Sequence, residues 1–175
     1  SYDETFFSWF GYENPSNSEM PKFTLSQAND LAKEKLQKSG CSNENCQGII
    51  DGILDAELSG IKSHGFHYLP IYCNHLKIGK IKGTAKVSAD KISDSALKVN
   101  ADNGFAHTAI NLGFSSLFDM CRNSGIASMS IFNSYNCGVL GFHTKRIAEK
   151  GFVGMGFTNA PASIAPIGGK KAVVG

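Results

Sequence analysis

Apolar residues recur at helical spacing through the first half of the chain and alternate in short runs through the second. Leu25, Ala28, Ala32 and Leu36 follow Thr24-Leu25-Ser26-Gln27, in which Thr24 can accept from a backbone N–H while Gln27 reaches back. This predicts a capped helix that Ser39-Gly40 stops. A second helix starts near Asn43, with Cys46, Ile49, Ile50, Ile53, Leu54 and Leu58 on one face, and Gly60 to Gly65 interrupts it. A third spans roughly Phe66 to Lys77 and ends at Gly79. Between Lys82 and Ala101 the alternating residues Ala85, Val87, Ala96, Leu97 and Val99 predict a strand pair, with a turn at Asn103-Gly104. A long helix is expected from Phe105 to Asn123, with Ala109, Leu112, Phe114, Leu117 and Met120 inside. Then come a strand over Ile126 to Phe132, a polar loop over Asn133 to Gly138, and a helix from Val139 to Lys150. Further strands are expected over Phe152 to Thr158 and Ala172 to Val174, joined by a Pro/Ala/Gly-rich loop. Helices first, then strands and helices in alternation, make a mixed α/β fold with an N-terminal helical layer. The expected segments are an aromatic-rich extension over 1–22, a helical part over 23–80 and an α/β part over 81–175.

Composition narrows the function classes. The 175 residues are 42% hydrophobic, too apolar for a disordered acidic tail. A net charge of +2 is too small for a dedicated nucleic-acid binder. Apolar runs are too short to span a bilayer, so no membrane partner is expected. Cys41, Cys46, Cys73, Cys121 and Cys137 are an odd set, read mostly as reduced thiols; a Cys41–Cys46 disulfide is geometrically possible. With no N-x-[ST] sequon, a cytoplasmic protein is the expectation. An extracellular one stays open, because the N-terminus reads as processed. Phe6, Phe7, Trp9, Phe10 and Tyr12 make residues 1–22 too aromatic for a solvated tail, so packing on the domain or a partner is expected.

Three stretches could carry chemistry. The common nucleotide signatures are absent, and Gly154-Met155-Gly156 lies inside an expected strand instead of opening a helix. His64, His67, Cys73 and His75 scatter around one helix and do not make a zinc pattern. Ser63-His64-Gly65 puts an imidazole in a polar break between apolar helices, suited either to proton exchange or to helix capping. Asn133-Ser134-Tyr135-Asn136-Cys137-Gly138 lies at the carboxyl end of an expected strand, where open α/β sheets place ligands. Thr158-Asn159-Ala160-Pro161 follows another expected strand in the same way.

The sequence resembles the family of NAD(P)-dependent malate/L-lactate dehydrogenases, which includes ureidoglycolate, sulfolactate and diketogulonate oxidoreductases. The resemblance rests on Asp55-Ala56-Glu57-Leu58-Ser59-Gly60-Ile61-Lys62-Ser63-His64-Gly65, Leu69-Pro70, Tyr72 and Ala101-Asp102-Asn103-Gly104. It continues through Asn133-Ser134, Gly138, Glu149-Lys150-Gly151-Phe152-Val153-Gly154, Thr158-Asn159 and Ala165-Pro166-Ile167-Gly168-Gly169. It implies a non-Rossmann α/β fold, here incomplete, and hydride exchange between NAD or NADP and a 2-hydroxy acid or related substrate. It places His64 at the substrate in proton transfer, with Ser63 and Tyr68 beside it. Asn133, Thr158, Asn159 and Ala160 fall on the cofactor side. A homo-oligomer, a dimer or higher, is also implied.

Four positions depart from the family pattern. Tyr68 and Ile71 stand where Arg is usual, Asn136 where a catalytic His is common, and Ala160 where Ser often contacts the cofactor. An Arg grips a carboxylate with two hydrogen bonds, whereas a Tyr offers one neutral bond. An amide cannot shuttle a proton at neutral pH. Two readings follow: an active oxidoreductase with an altered substrate, or an inactive or repurposed member serving in structure, assembly or binding. A third, using Cys137 near a helix N-terminus as a nucleophile, has no adjacent base. The end at Lys170-Lys171-Ala172-Val173-Val174-Gly175 reads as an unfinished strand. A C-terminal half is therefore expected as a second chain or an untraced segment.

Overall fold

The computed structural model describes residues 22–173. The aromatic residues from Phe6 to Tyr12, and Val174 of the last expected strand, lie outside the described residues. The chain divides into two compact units, Ser1–Val139 and Leu140–Gly175.

The first unit begins with three helices, α1 (Leu25–Lys38), α2 (Asn43–Leu58) and α3 (Leu69–Lys77). Thr24 caps α1 as its sequence predicts: its hydroxyl accepts from the Gln27 N–H while the Gln27 amide accepts from the Thr24 N–H. The three helices bury one apolar core around Leu36, Ile49, Ile50, Ile53, Leu69 and Tyr72. Cys41 and Cys46 sit in that core as free thiols, without the disulfide their spacing allows. The hydrogen bond with Cys46, together with burial, pushes the Cys41 thiol up and keeps it protonated. Two short 3₁₀ turns, Lys62–His64 and Phe66–Tyr68, fill the break between α2 and α3.

The sheet follows: β1 (Ser88–Ser93), β2 (Ala96–Asn100), α4 (Ala106–Ser124) and β3 (Ser128–Phe132). Its strand order is β1-β2-β3. β1 pairs antiparallel to β2, and β3 runs parallel to β2 with Ala96 opposite Ser128 and Asn100 opposite Phe132. α4 is the crossover that a parallel pair requires. It buries Ala109 and Met120 with Leu97, Val99 and Ala101 of the sheet side. Two expectations need correction. Ala85 and Val87 precede β1, whose residues are all exposed because the apolar cluster beside the sheet takes Leu97 and Val99 from β2 and nothing from β1. Leu112, expected inside α4, is exposed.

The second unit holds α5 (Leu140–Ala148) and an extended run after Gly151. The strand expected over Phe152 to Thr158 is not formed, because a strand needs a ladder partner and none of the described residues supplies one. The alternation behind that expectation is nonetheless present. Gly154 lies against Ile147, and Gly156 against Leu140 and Thr144. Val153, Met155 and Phe157 point away and are 95%, 77% and 89% exposed. Ala172 and Val173 are likewise outside any strand. Their stretch is tied back by one bond, in which the Val173 N–H donates to the Ile164 carbonyl at 3.0 Å. Between them Pro166–Gly169 forms a turn, closed by the Gly169 N–H on the Pro166 carbonyl at 2.8 Å. Gly168 at its third position has φ +79°, which a type II turn demands and glycine supplies without strain.

Among the described residues no helix is long and apolar enough to cross a membrane, and no three His, Cys, Asp or Glu side chains are placed to hold a metal ion.

Candidate functional site

The candidate site starts with how α2 ends. The Glu57 carboxylate accepts from the Phe66 N–H at 2.6 Å. It lies so close to Gly65 that a Cβ there would collide with it. Glu57 and Gly65 together fold the chain back sharply enough to present Ser63 and His64 on an exposed 3₁₀ turn. Ser63 Oγ and His64 Nδ1 share a 2.9 Å hydrogen bond, which leaves Nε2 for other partners.

Tyr68, which ends the second 3₁₀ turn, and Tyr72 and His75 of α3 follow at spacings of four and three, which sets them along one face. The His64 and Tyr68 rings are near-parallel, 8° apart in plane, with centroids 6.4 Å apart. Tyr68 meets Tyr72 edge-on at 4.7 Å, and Tyr72 meets Phe105, the residue before α4, at 5.6 Å. Tyr135 packs edge-on against Tyr72, His75 and Phe105. Such edge contacts set the negative face of one ring against the positive edge of another.

The loop after β3 is fixed to the turn after β2. The Asn103 N–H donates to the Asn133 carbonyl at 2.7 Å, and the Tyr135 N–H donates to the Gly104 carbonyl at 2.9 Å. Asp102, Asn103 and Asn133 all have positive φ, a conformation Asn and Asp tolerate better than most residues. Asp102 is held by the Lys82 ammonium at 2.7 Å and the Lys86 N–H at 2.9 Å. The carboxyl ends of two parallel strands therefore stand side by side and present Asn133 to Gly138 toward α3.

Within this frame the Tyr72 hydroxyl donates to Asn136 Oδ1 at 3.3 Å, and the Gly138 N–H donates to the same oxygen at 3.2 Å. Tyr135 Oη and His75 Nδ1 are joined by a 2.6 Å hydrogen bond. Burial pushes the Tyr135 phenol up, and it does the same to Tyr72. Burial and then the Lys80 charge hold the His75 imidazole below its usual value, so it is neutral at pH 7.

Ser63, His64, Tyr68 and Asn136, all singled out from the sequence, thus meet in one aromatic cluster. Asn133 lies at its edge, where its amide donates to Asn100 Oδ1 at 3.3 Å. Thr158, Asn159 and Ala160 belong to the second unit and are exposed there without regular structure. Sequence reasoning missed Glu57, Phe105, His75 and Tyr135 as parts of the cluster. The signal for His75 was its helical register with Tyr68 and Tyr72; Tyr135 carried none beyond its place in the loop.

A family model described as malate/L-lactate dehydrogenase matches residues 23–175. A (2R)-3-sulfolactate dehydrogenase (NADP(+)) of Chromohalobacter salexigens is 32% identical over 152 residues, 87% of this chain and 45% of the relative. A Delta(1)-pyrroline-2-carboxylate/Delta(1)-piperideine-2-carboxylate reductase of Pseudomonas aeruginosa is 30% identical, over 89% of this chain and 47% of the relative. Among solved structures, a sulfolactate dehydrogenase from Methanocaldococcus jannaschii superposes with TM-score 0.74 at 22% identity, over 87% of this chain and 44% of that one. A delta1-piperideine-2-carboxylate reductase from Pseudomonas syringae gives 0.73 at 27% identity, over 75% and 40%. The chain therefore spans less than half the length of these relatives.

Proposed function

Because the chain belongs to the malate/L-lactate dehydrogenase family, we propose that the whole protein is an NAD(P)-dependent oxidoreductase of a 2-hydroxy acid or related substrate. This chain then supplies the substrate end of its site. The observation that carries the reading is the cluster itself. It gathers His64, Tyr68 and Asn136 at the carboxyl ends of parallel strands, where such sheets bind ligands. The relatives support the reaction class, being dehydrogenases of sulfolactate and malate and a reductase of pyrroline and piperideine carboxylates.

Roles follow from chemistry. Ser63 fixes the ring of exposed His64, leaving Nε2 to hydrogen-bond the substrate oxygen and exchange its proton. Tyr68 gives one neutral hydrogen bond where an Arg would give two charged ones, so the substrate group it meets is held weakly or carries less charge. Asn136, fixed by Tyr72, orients an oxygen but cannot exchange protons at neutral pH. The donors present fit a nicotinamide dinucleotide in kind. Asn133, Thr158 and Asn159 expose neutral amide and hydroxyl groups, and Ala160 a backbone N–H, suited to a carboxamide or ribose. When bound, that group supplies the acceptor or donor of hydride.

The same proposal includes a homo-oligomeric enzyme, completed by the part that relatives carry beyond the matched region. That part covers the apolar row of Val153, Met155 and Phe157. Calorimetric titration of the full protein with NADH and NADPH tests the reading. Binding of one of them is expected, with turnover falling ~10²–10⁴-fold in His64→Ala. A protein that binds neither nucleotide overturns it.

A further inference from the structure

An exposed amide can face a ligand as a donor or as an acceptor, and two hydrogen bonds decide which for Asn136. Resting on the oxidoreductase reading above, we propose that Asn136, aimed by Tyr72 and Gly138, donates to the reacting oxygen of the substrate and so selects a carbonyl or hydroxyl compound against a cyclic imine.

A main-chain N–H can only donate, so the Asn136 atom 3.2 Å from the Gly138 nitrogen is Oδ1 and not the amide nitrogen. The Tyr72 hydroxyl donates to the same oxygen at 3.3 Å, from a helix sixty-four positions earlier in the chain. An amide oxygen has two lone pairs, and these two donors occupy both. Asn136 therefore offers the exposed side of the cluster its Nδ2, with two N–H groups and no acceptor. The Tyr72 ring is fixed edge-on by Tyr68, Phe105 and Tyr135, so its hydroxyl keeps its aim. Burial pushes the Tyr72 phenol up, so that hydroxyl keeps its proton and stays a donor. His64 and Asn136 end one contiguous set: His64 lies beside Tyr68, Tyr68 on Tyr72, and Tyr72 on Asn136.

The two substrate classes differ at one atom. A 2-oxo acid brings an oxygen, which only accepts. A cyclic imine, protonated for reduction, brings an N–H, which only donates and would meet Nδ2 donor to donor. As hydride from the reduced nicotinamide reaches the carbonyl carbon, the C=O π pair moves to the oxygen, where the His64 proton completes the hydroxyl. The Asn136 N–H groups hold that oxygen most strongly while its charge is greatest, before the proton arrives. Oxidation runs the same shifts backward. Asn136 moves no proton in either direction, and Tyr72 acts only as a positioning residue.

The test uses the full protein with NADH or NADPH bound and two unreactive carboxylates as probes, read by calorimetric titration. Oxamate carries a carbonyl oxygen beside its carboxylate; pyrrole-2-carboxylate carries a ring N–H there. Asn136→Asp keeps an oxygen for Tyr72 and Gly138 and turns the exposed NH₂ into an acceptor. Repulsion between the new carboxylate and that of a probe acts on both probes and cancels in the ratio of their Kd values. That ratio is expected to shift about 10-fold or more toward pyrrole-2-carboxylate. Tyr72→Phe keeps the ring packing and opens one lone pair of Oδ1, and is expected to shift the ratio the same way by about threefold. A ratio within about twofold of the parent's in Asn136→Asp, or a nucleotide-bound parent that takes up neither probe, overturns the assignment alone. A shift in Asn136→Asp without one in Tyr72→Phe overturns the part given to Tyr72. A parent protein that binds neither nucleotide overturns the oxidoreductase reading, and this role with it.

Discussion

Glu57 and Gly65 show how two residues shape the candidate site without belonging to its chemistry. The carboxylate satisfies the Phe66 N–H, and the missing Cβ of Gly65 is what lets it arrive. Gly65→Ala should drive the carboxylate off that N–H and destabilise the fold by about 1–3 kcal/mol, the usual cost of stranding a polar group. Urea denaturation reads this, and a midpoint within error of the parent's would show that the turn tolerates the methyl. Asp102 makes a pH-dependent prediction. The Lys82 ammonium, and then the Lys86 N–H, hold its carboxyl below the ordinary carboxylate range. A depressed folded value contributes stability that is present above the unfolded value of about 4 and is lost as pH falls through the folded one. Asp102→Asn should therefore be less stable than the parent at pH 6, with the gap narrowing toward pH 2. An equal gap at both ends of that range would show that Asp102 contributes through shape alone.

At the scale of elements, the helices were legible because each carries its own signal. The Thr24–Gln27 box and the Leu36 stripe determine α1 with no help from elsewhere. Ser63, His64, Tyr68 and Asn136 were legible through a resemblance in motif. His75 and Tyr135 were not, because their bond joins residues sixty positions apart and only the packing of α3 on the β3 loop reveals it. β1 was misplaced for a related reason. An exposed edge strand such as Ser88–Ser93 has no buried face to write an alternating pattern. The start of α2 hides a further long-range tie. Buried Asn45 donates to Ser42 Oγ at 2.8 Å and to the carbonyls of Gly83 at 3.3 Å and Ala85 at 3.1 Å. It fastens the helical layer to the segment leading into the sheet. Asn45→Ala should cost about 1–3 kcal/mol in a denaturant titration, since two main-chain acceptors lose this donor. A loss below about 0.5 kcal/mol, normal for a surface site, would mean the tie is incidental.

For the whole molecule, the second unit sets the problem. Its extended run from Phe152 to Thr158 alternates as a buried strand does, with glycines toward α5 and large apolar residues outward. A strand with that pattern needs cover on its outer face and a neighbour for its main chain, and the described residues supply neither. More than half the length of these relatives lies outside the matched part, and the proposal assigns the cover to that remainder. The two possibilities differ in what a charge would cost. If Val153, Met155 and Phe157 stay as exposed as they are here, Asp at each should change stability by no more than about 0.5 kcal/mol. If the rest of the protein packs on them, each Asp would bury an unpaired carboxylate and should cost about 2 kcal/mol or more. Thermal and urea unfolding of the full protein, comparing Val153→Asp, Met155→Asp and Phe157→Asp with Ile78→Asp on the surface after α3, measures the difference directly. Ile78 is 65% exposed and serves as the reference for an uncovered apolar side chain. Three variants no worse than that reference would leave the row uncovered and remove the assignment. Losses well beyond it would place the row in the interior of the full protein.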